Sequence, residues 1–278
     1  MPIPPDPGPE QCHPQVGNHR PKEGCLPRAI LERAATALGL SPPADTAALR
    51  KQLEERLGVS PGKEASFLAA LPLSHAEKLR AKKGYLRPAA PKEWIRKPDT
   101  WLDSINILDV MNQYEEAYPN FEFIGPLPID FAAKNPYKQN KTECLNNEIC
   151  EFRMKDAIQK GTEYVGIIYN LDRHYQGGSH WVANFIDLKK KSCIYFDSYG
   201  QPAHKDIAKF MKWLTTQEYS IKELTYNAKQ LQTKNTECGM YSLYFIIRML
   251  AGDDLKTFVR RNINDDHMLK MRKWIFST

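Results

Sequence analysis

The stretch "TKNTECGMYSLYFIIRML", Thr233 to Leu250, sets a single cysteine between a polar loop and an apolar run. Charged and amide side chains end at Glu237, and beyond Gly239 the chain stays largely apolar up to Arg248. The pattern predicts a helix that begins at Cys238. A helix start leaves backbone N–H groups without partners and carries the positive end of the macrodipole, and both favour a thiolate. Gly239 has no Cβ, so another segment can approach closely there. A free cysteine is more often a small buried hydrophobe. The stretch alone therefore leaves a nucleophile and a core thiol both open.

A nucleophilic thiol needs a base, and the base needs an acceptor that fixes its tautomer. "GGSHWVANFIDLKKKSCIYFDSYG", Gly177 to Gly200, offers both. Its β-rich halves predict a hairpin turning near Lys189–Ser192. That register sets His180, at the start of the first strand after a Gly-Gly-Ser loop, opposite the Asp197 end of the second. His174 competes as base. Asp187 competes as acceptor but sits at the wrong end of the hairpin. Gln232, six residues before Cys238, offers an amide that could hold an oxyanion together with the Cys238 backbone N–H. A lone loop glutamine is ordinarily a surface residue. Its weight comes from the order His180, Asp197, Gln232, Cys238.

That order, with Trp181 after the histidine, Ser198 after the aspartate and Gly239 after the cysteine, resembles the adenain-like and SUMO-deconjugating clan of cysteine proteases. The resemblance covers roughly residues 95–278. "TWLDSINILDVM" looks like the WLND-type helix start of those enzymes, although Asp103-Ser104 replaces Asn-Asp. In that clan two indoles close over a Gly-Gly tail. The resemblance therefore implies a slot between Trp101 and Trp181, with Leu102, Asp103 and Gly239 as further substrate-binding positions. Within the clan the motifs look like the virion-maturation polyprotein proteases of large double-stranded DNA viruses, of the African swine fever virus type, which also carry an N-terminal helical arm.

The resemblance implies a thiol endopeptidase cutting viral polyproteins after Gly-Gly or Gly-Ala. Cys238 would be the nucleophile, His180 the base and acid, Asp197 its orienter and Gln232 an oxyanion donor. A deconjugase acting on SUMO or ubiquitin-like modifiers of host proteins is the alternative, and a catalytically inactive binding module a third. No cofactor or metal is implied. The expected partners are polypeptides, the expected state a monomer, and the expected location the host cytoplasm (virus factory) and virion, or the nucleus and cytoplasm of a cellular host.

Composition bounds these readings. Hydrophobic residues make up 42% of the 278, enough for a sizeable core. No apolar run is long enough to cross a membrane, and the N-terminus lacks a signal-peptide pattern, so a cytosolic or nuclear origin is expected. The net charge of +6 is spread evenly and forms no basic stripe, so nucleic-acid binding is unsupported. The six cysteines, at 12, 25, 144, 150, 193 and 238, are expected to be free thiols in a reducing compartment. Cys12-His13 with Cys25, or Cys144 with Cys150, could be offered to zinc, but no CxxC pair is present.

The first 28 residues hold eight of the 20 prolines and read as a disordered tail. Residues 29–85 read as a helical arm with stops at Gly39, Gly58 and Pro72 and a Ser74/Glu77 capping box. "LRPAAPK", 86–92, reads as a linker, which makes the arm separable from a catalytic domain at 86–278. Within that domain an apolar stripe at 101, 102, 105, 108, 111 and 114 predicts a helix capped by Thr100 or Asp99, and 148–161 reads as one helix. Strands cluster mid-chain between helices. The expected fold is α+β, a papain-like or adenain-like core with a central mixed sheet flanked by helices, plus the small arm.

Overall fold

The computed structural model describes residues 10–16, 24–136, 143–261 and 263–277. They fall into two compact units. One is Asp99–Met268; the other joins the described residues up to Pro98 with those from Leu269 onward.

The second unit is the helical arm. It contains α1 (Arg28–Ala37), α2 (Thr46–Leu57), α3 (Glu64–Ala70) and α4 (His75–Tyr85). Their ends follow the sequence signals. Asp45 caps α2 through Ala48 N at 2.7 Å, Gly58 ends it in the left-handed region, and Ser74 with Glu77 forms the expected capping box. Leu31, Ala34, Leu49, Leu53 and Phe67 form its apolar centre. A charge is buried beside them. The Arg50 guanidinium bonds Glu54 at 2.7 Å and Glu64 at 3.0 Å and lies 3.7 Å over the Phe67 ring. A buried cation without such partners would be strongly destabilising. Gly24 completes the fit, because a Cβ there would stand 2.2 Å from Arg50 Nη1.

Three expectations fail. Cys12 and Cys25 are buried and joined in a disulfide, beside a buried Leu26, so the described part of the proline-rich segment is packed structure. Cys144 and Cys150, in the other unit, form a second disulfide, which leaves Cys193 and Cys238 as the free thiols. No local spacing motif signals either pair. The fold brings Cys12 and Cys25, 13 residues apart, to a Cα separation of 5.1 Å. The supposed linker is held by hydrogen bonds as well. Arg87 N donates to Gln11 O at 2.8 Å, Ala90 N to Ser277 O at 3.0 Å, and Ser277 N to Pro88 O at 2.8 Å. Proline lacks a donor yet its carbonyl still accepts. Composition alone therefore hid a segment paired on both sides.

The first unit begins with α5 (Ser104–Ala117), then β1 (Phe121–Pro128), the short α6 (Asn147–Cys150) and α7 (Met154–Gln159), and β2 (Tyr164–Asn170). There follow β3 (Trp181–Asp187), β4 (Ser192–Phe196), α8 (Lys205–Leu214), β5 (Glu223–Tyr226), α9 (Cys238–Leu250) and α10 (Leu255–Arg260). The last helix, α11 (Asp265–Ile275), starts in this unit. The strands form one mixed sheet in the order β1-β2-β3-β4-β5, parallel at its two outer pairs and antiparallel within. The fold is α+β, as expected.

Helix α9 lies against the sheet, with every residue from Cys238 to Met249 buried and Phe245 stacked on Phe196 at 4.6 Å. Helix α5 differs from expectation. Its cap is Asp103, in a capping box with Asn106, and its buried face is Ile107, Val110, Met111 and Tyr114, while Ile105 and Leu108 are exposed. That face packs against β1 and α9. The single helix expected at 148–161 is two, because Phe152 turns inward between them and Gln217 takes Met154 N at 3.0 Å. Among the described residues no helix is long and apolar enough to cross a membrane.

Candidate active site

The β3–β4 hairpin turns at 188–191 and pairs Ala183 with Phe196 and Asp187 with Ser192. Carried past the ladder, that register sets His180 opposite Tyr199, and their rings stack with centroids 4.9 Å apart. Asp197, two residues back, reaches the imidazole: His180 Nε2 and Asp197 Oδ1 are 2.7 Å apart. The competitors are occupied elsewhere. His174 pairs with Asp130 at 2.8 Å, and Asp187 accepts Lys190 N in the turn. The loop before His180 is pinned, with Ser179 Oγ on Asp172 at 2.7 Å and Gly178 N on the same carboxylate at 3.1 Å.

Cys238 occupies the first turn of α9, near enough to the His180 ring to influence its charge. Asp197 takes Nε2, so Nδ1 remains for the thiol. The histidine thus stands between carboxylate and sulfur. Burial favours its neutral form, but the Asp197 hydrogen bond, and then the nearby Cys238, outweigh burial and raise its pKa to about 9. Asp197 is itself fixed. It accepts Tyr199 N at 2.9 Å, and its own N–H and C=O are gripped by the Asn227 amide at 2.9 and 2.6 Å.

Gln232 is fully buried, not a surface loop residue. Ser198 Oγ donates to its Oε1 at 2.6 Å, and its Nε2 donates to Lys234 O at 2.7 Å. One amide proton is left by that arrangement. The loop is held from below by Asp265, whose Oδ2 accepts Thr233 N, Thr233 Oγ1 and Lys234 N at 3.0, 2.5 and 3.1 Å. Gly200 permits the return of the chain. It sits at φ +72, and a Cβ there would lie 2.7 Å from the Lys229 backbone.

A cleft of about 450 Å³ is lined by Trp101, Leu102, Asp103 and Trp181, with Gly177 and Gly178 on its far side. Trp181 is 8% exposed and donates its indole N–H to Leu102 O at 2.9 Å; Trp101 is 42% exposed. Gly239 faces this pair, and a Cβ there would stand 3.0 Å from Leu102 Cβ and 3.3 Å from Trp181 Cδ1. Asp103 both lines the cleft and caps α5. The structure thus gathers His180, Asp197 and Cys238, fixes Gln232 on the loop leading to the thiol, and sets Leu102, Trp181 and Gly239 together. Sequence reasoning missed Tyr199, Asn227 and Asp265, and it gave Ser198 no role toward Gln232. Hairpin register could have placed Tyr199; Asn227 lies in a loop without periodicity, and Asp265, in the first turn of α11, is distant in sequence from the loop it holds.

A thiol, an imidazole and a carboxylate in series at the head of a buried helix define the constellation of the cysteine peptidases. Residues 132–277 match the Ulp1 protease family, C-terminal catalytic domain, and the chain belongs to that family. It is 33% identical over 190 residues to a thiol protease of Acanthamoeba polyphaga mimivirus, a match covering 65% of this chain and 58% of that one. The chain thus spans less than two thirds of that relative. It is 26% identical over 184 residues to a SUMO-1 cysteine protease of African swine fever virus, covering 63% of this chain and 67% of that one. The crystal structure of an African swine fever virus protease shares the fold, with a TM-score of 0.66 at 20% identity over 98% of this chain and 96% of that one.

Proposed function

We propose that this chain is a thiol endopeptidase that processes a viral polyprotein after Gly-Gly, with Gly-Ala sites cut more slowly. The observation that carries the reading is His180 held between Asp197 and Cys238 at the start of α9. His180 takes the thiol proton, and the thiolate attacks the carbonyl carbon. The negative oxygen that forms accepts from the Cys238 backbone N–H and the remaining Gln232 amide proton. Imidazolium then gives its proton to the leaving amine, and the acyl–sulfur bond is hydrolysed by a water that His180 deprotonates. Asp197 holds the ring in the tautomer both steps need.

The cleft supports the glycine preference. Trp181 is braced on Leu102 beside Gly239, so a side chain on the residue before the scissile bond would push against an immobile indole. Overpacking of one methyl costs about 1–3 kcal/mol, or roughly one to two powers of ten in kcat/KM. Peptides ending in Gly-Gly, Gly-Ala and Ala-Gly before the scissile bond test this directly, and equal rates on all three would remove the slot. Viral relatives favour the host cytoplasm and virion as the place of action, with the chain working as a monomer.

A second reading, removal of a SUMO-like modifier, is favoured by the family and by the name of the African swine fever virus relative. SUMO and ubiquitin fusions assayed beside polyprotein fragments separate the two. An inactive binding module has no evident need for an oriented His–Asp pair facing a thiol. Turnover abolished by Cys238→Ala would dismiss it.

A further inference from the structure

The arm unit carries a groove of about 700 Å³ made entirely from its own residues. Pro91, Trp94, Ile95 and Leu269 give it apolar walls. Ile95 is 87% exposed, far more than an isoleucine serving only packing. The walls are braced: Trp94 meets Phe276 edge-on at 4.9 Å, the Arg272 guanidinium lies 4.5 Å over the indole, and Ala90 N bonds Ser277 O. Such a groove exists before anything enters it, so little ordering opposes binding.

Its charge is one-sided. Lys92, Lys270 and Lys273 stand on it, all exposed, and among the described residues no carboxylate lines it. None of the three lysines forms an ion pair with the described residues. Apolar walls ask for a bulky apolar anchor, and uncompensated cations around them ask for negative charge beside it. Nucleic acid would instead use open aromatic faces for its bases. Among the described residues Trp94 is the one aromatic lining the groove, and one face of it is covered by Arg272.

We propose that the groove formed by residues 89–98 and 269–277 docks an acidic polypeptide segment bearing a bulky apolar side chain. The proposal is independent of the catalytic reading, because it uses none of the residues of the thiol site. A phage-displayed random dodecapeptide library panned on the full chain, with Kd values of enriched peptides read by fluorescence anisotropy, tests it. Enriched peptides are expected to set Asp and Glu around Leu, Phe or Trp. Ile95→Asp, and separately Lys92→Glu with Lys270→Glu and Lys273→Glu, are each expected to weaken binding by about tenfold or more. The loss from the charge variant should shrink as salt rises. Circular dichroism checks that both variants are folded. Enrichment of neutral or basic peptides, no enrichment, or binding untouched by both variants overturns the proposal. So does displacement by a twelve-residue oligothymidylate at lower concentration than the peptide, which would assign the groove to nucleic acid.

Discussion

At the scale of single residues, the two free thiols have unlike surroundings. Cys193 is buried in the sheet and its thiol is pushed up to about 12 by desolvation; Cys238 faces an imidazole. Iodoacetamide is therefore expected to modify Cys238 alone among the six cysteines, with activity lost in step, as peptide mapping would show. Labelling of Cys193 first would contradict the site. His180, held at about 9, lies above the ordinary histidine value of about 6.5. Its pairing contributes stability in full below about pH 6.5 and loses it as pH rises through about 9. The melting temperature of the wild type should thus fall faster than that of His180→Ala across that window. The alkaline limb of kcat/KM should lie near 9 and move down in Asp197→Asn; a limb already at 7 in the wild type would refute the pairing. Gln232→Ala should lower kcat by about 10²–10³ if its free proton meets the oxyanion. A tenfold or smaller effect would demote it to a scaffold for Ser198 and Lys234.

At the scale of elements, the hairpin and the loop after it carry the site. Gly200 lets the Asp197 turn approach the segment leading to Gln232, so Gly200→Ala must displace backbone as well as strain φ. The expected result is a loss of about 1–3 kcal/mol of stability together with a fall in kcat; an unchanged melting temperature would show that the loop yields freely. Legibility follows the same elements. The β3–β4 register and the α9 start could be read because period-two alternation and a polar-to-apolar break are local signals. The Asn227 clamp on Asp197 spans 30 residues, and the Asp265 grip on Thr233 spans 32. No short-range pattern records such contacts. Helix α5 shows the intermediate case. Its existence is plain from apolar spacing, but which apolar residues face inward is decided by packing on β1 and α9, which no local signal records.

At the scale of the whole molecule, the division of the chain decides what can be removed. Proline content suggested a cut near Lys92, yet residues 269–277 belong with the arm, where Ser277 is bonded to the 87–90 segment and Phe276 to Trp94. A chain lacking residues 1–91 keeps Trp94 but loses the partners of Ser277 and the apolar centre of the arm. It is expected to melt several degrees lower than the full chain and to bind a hydrophobic dye through the uncovered Ile275 and Phe276. A truncated chain as stable as the full one would show that the C-terminal residues pack without the arm.

The Cys12–Cys25 bond makes this unit answerable to more than temperature and solvent. Closing a loop of that size withholds unfolded conformations worth about 3 kcal/mol in the chain-entropy account. The thiol content of the medium therefore sets part of the arm's resistance to digestion. Two preparations of the same sequence, one kept with reductant and one without, should be cut by trypsin at different rates around Arg28 and Arg33 while their sheets remain alike.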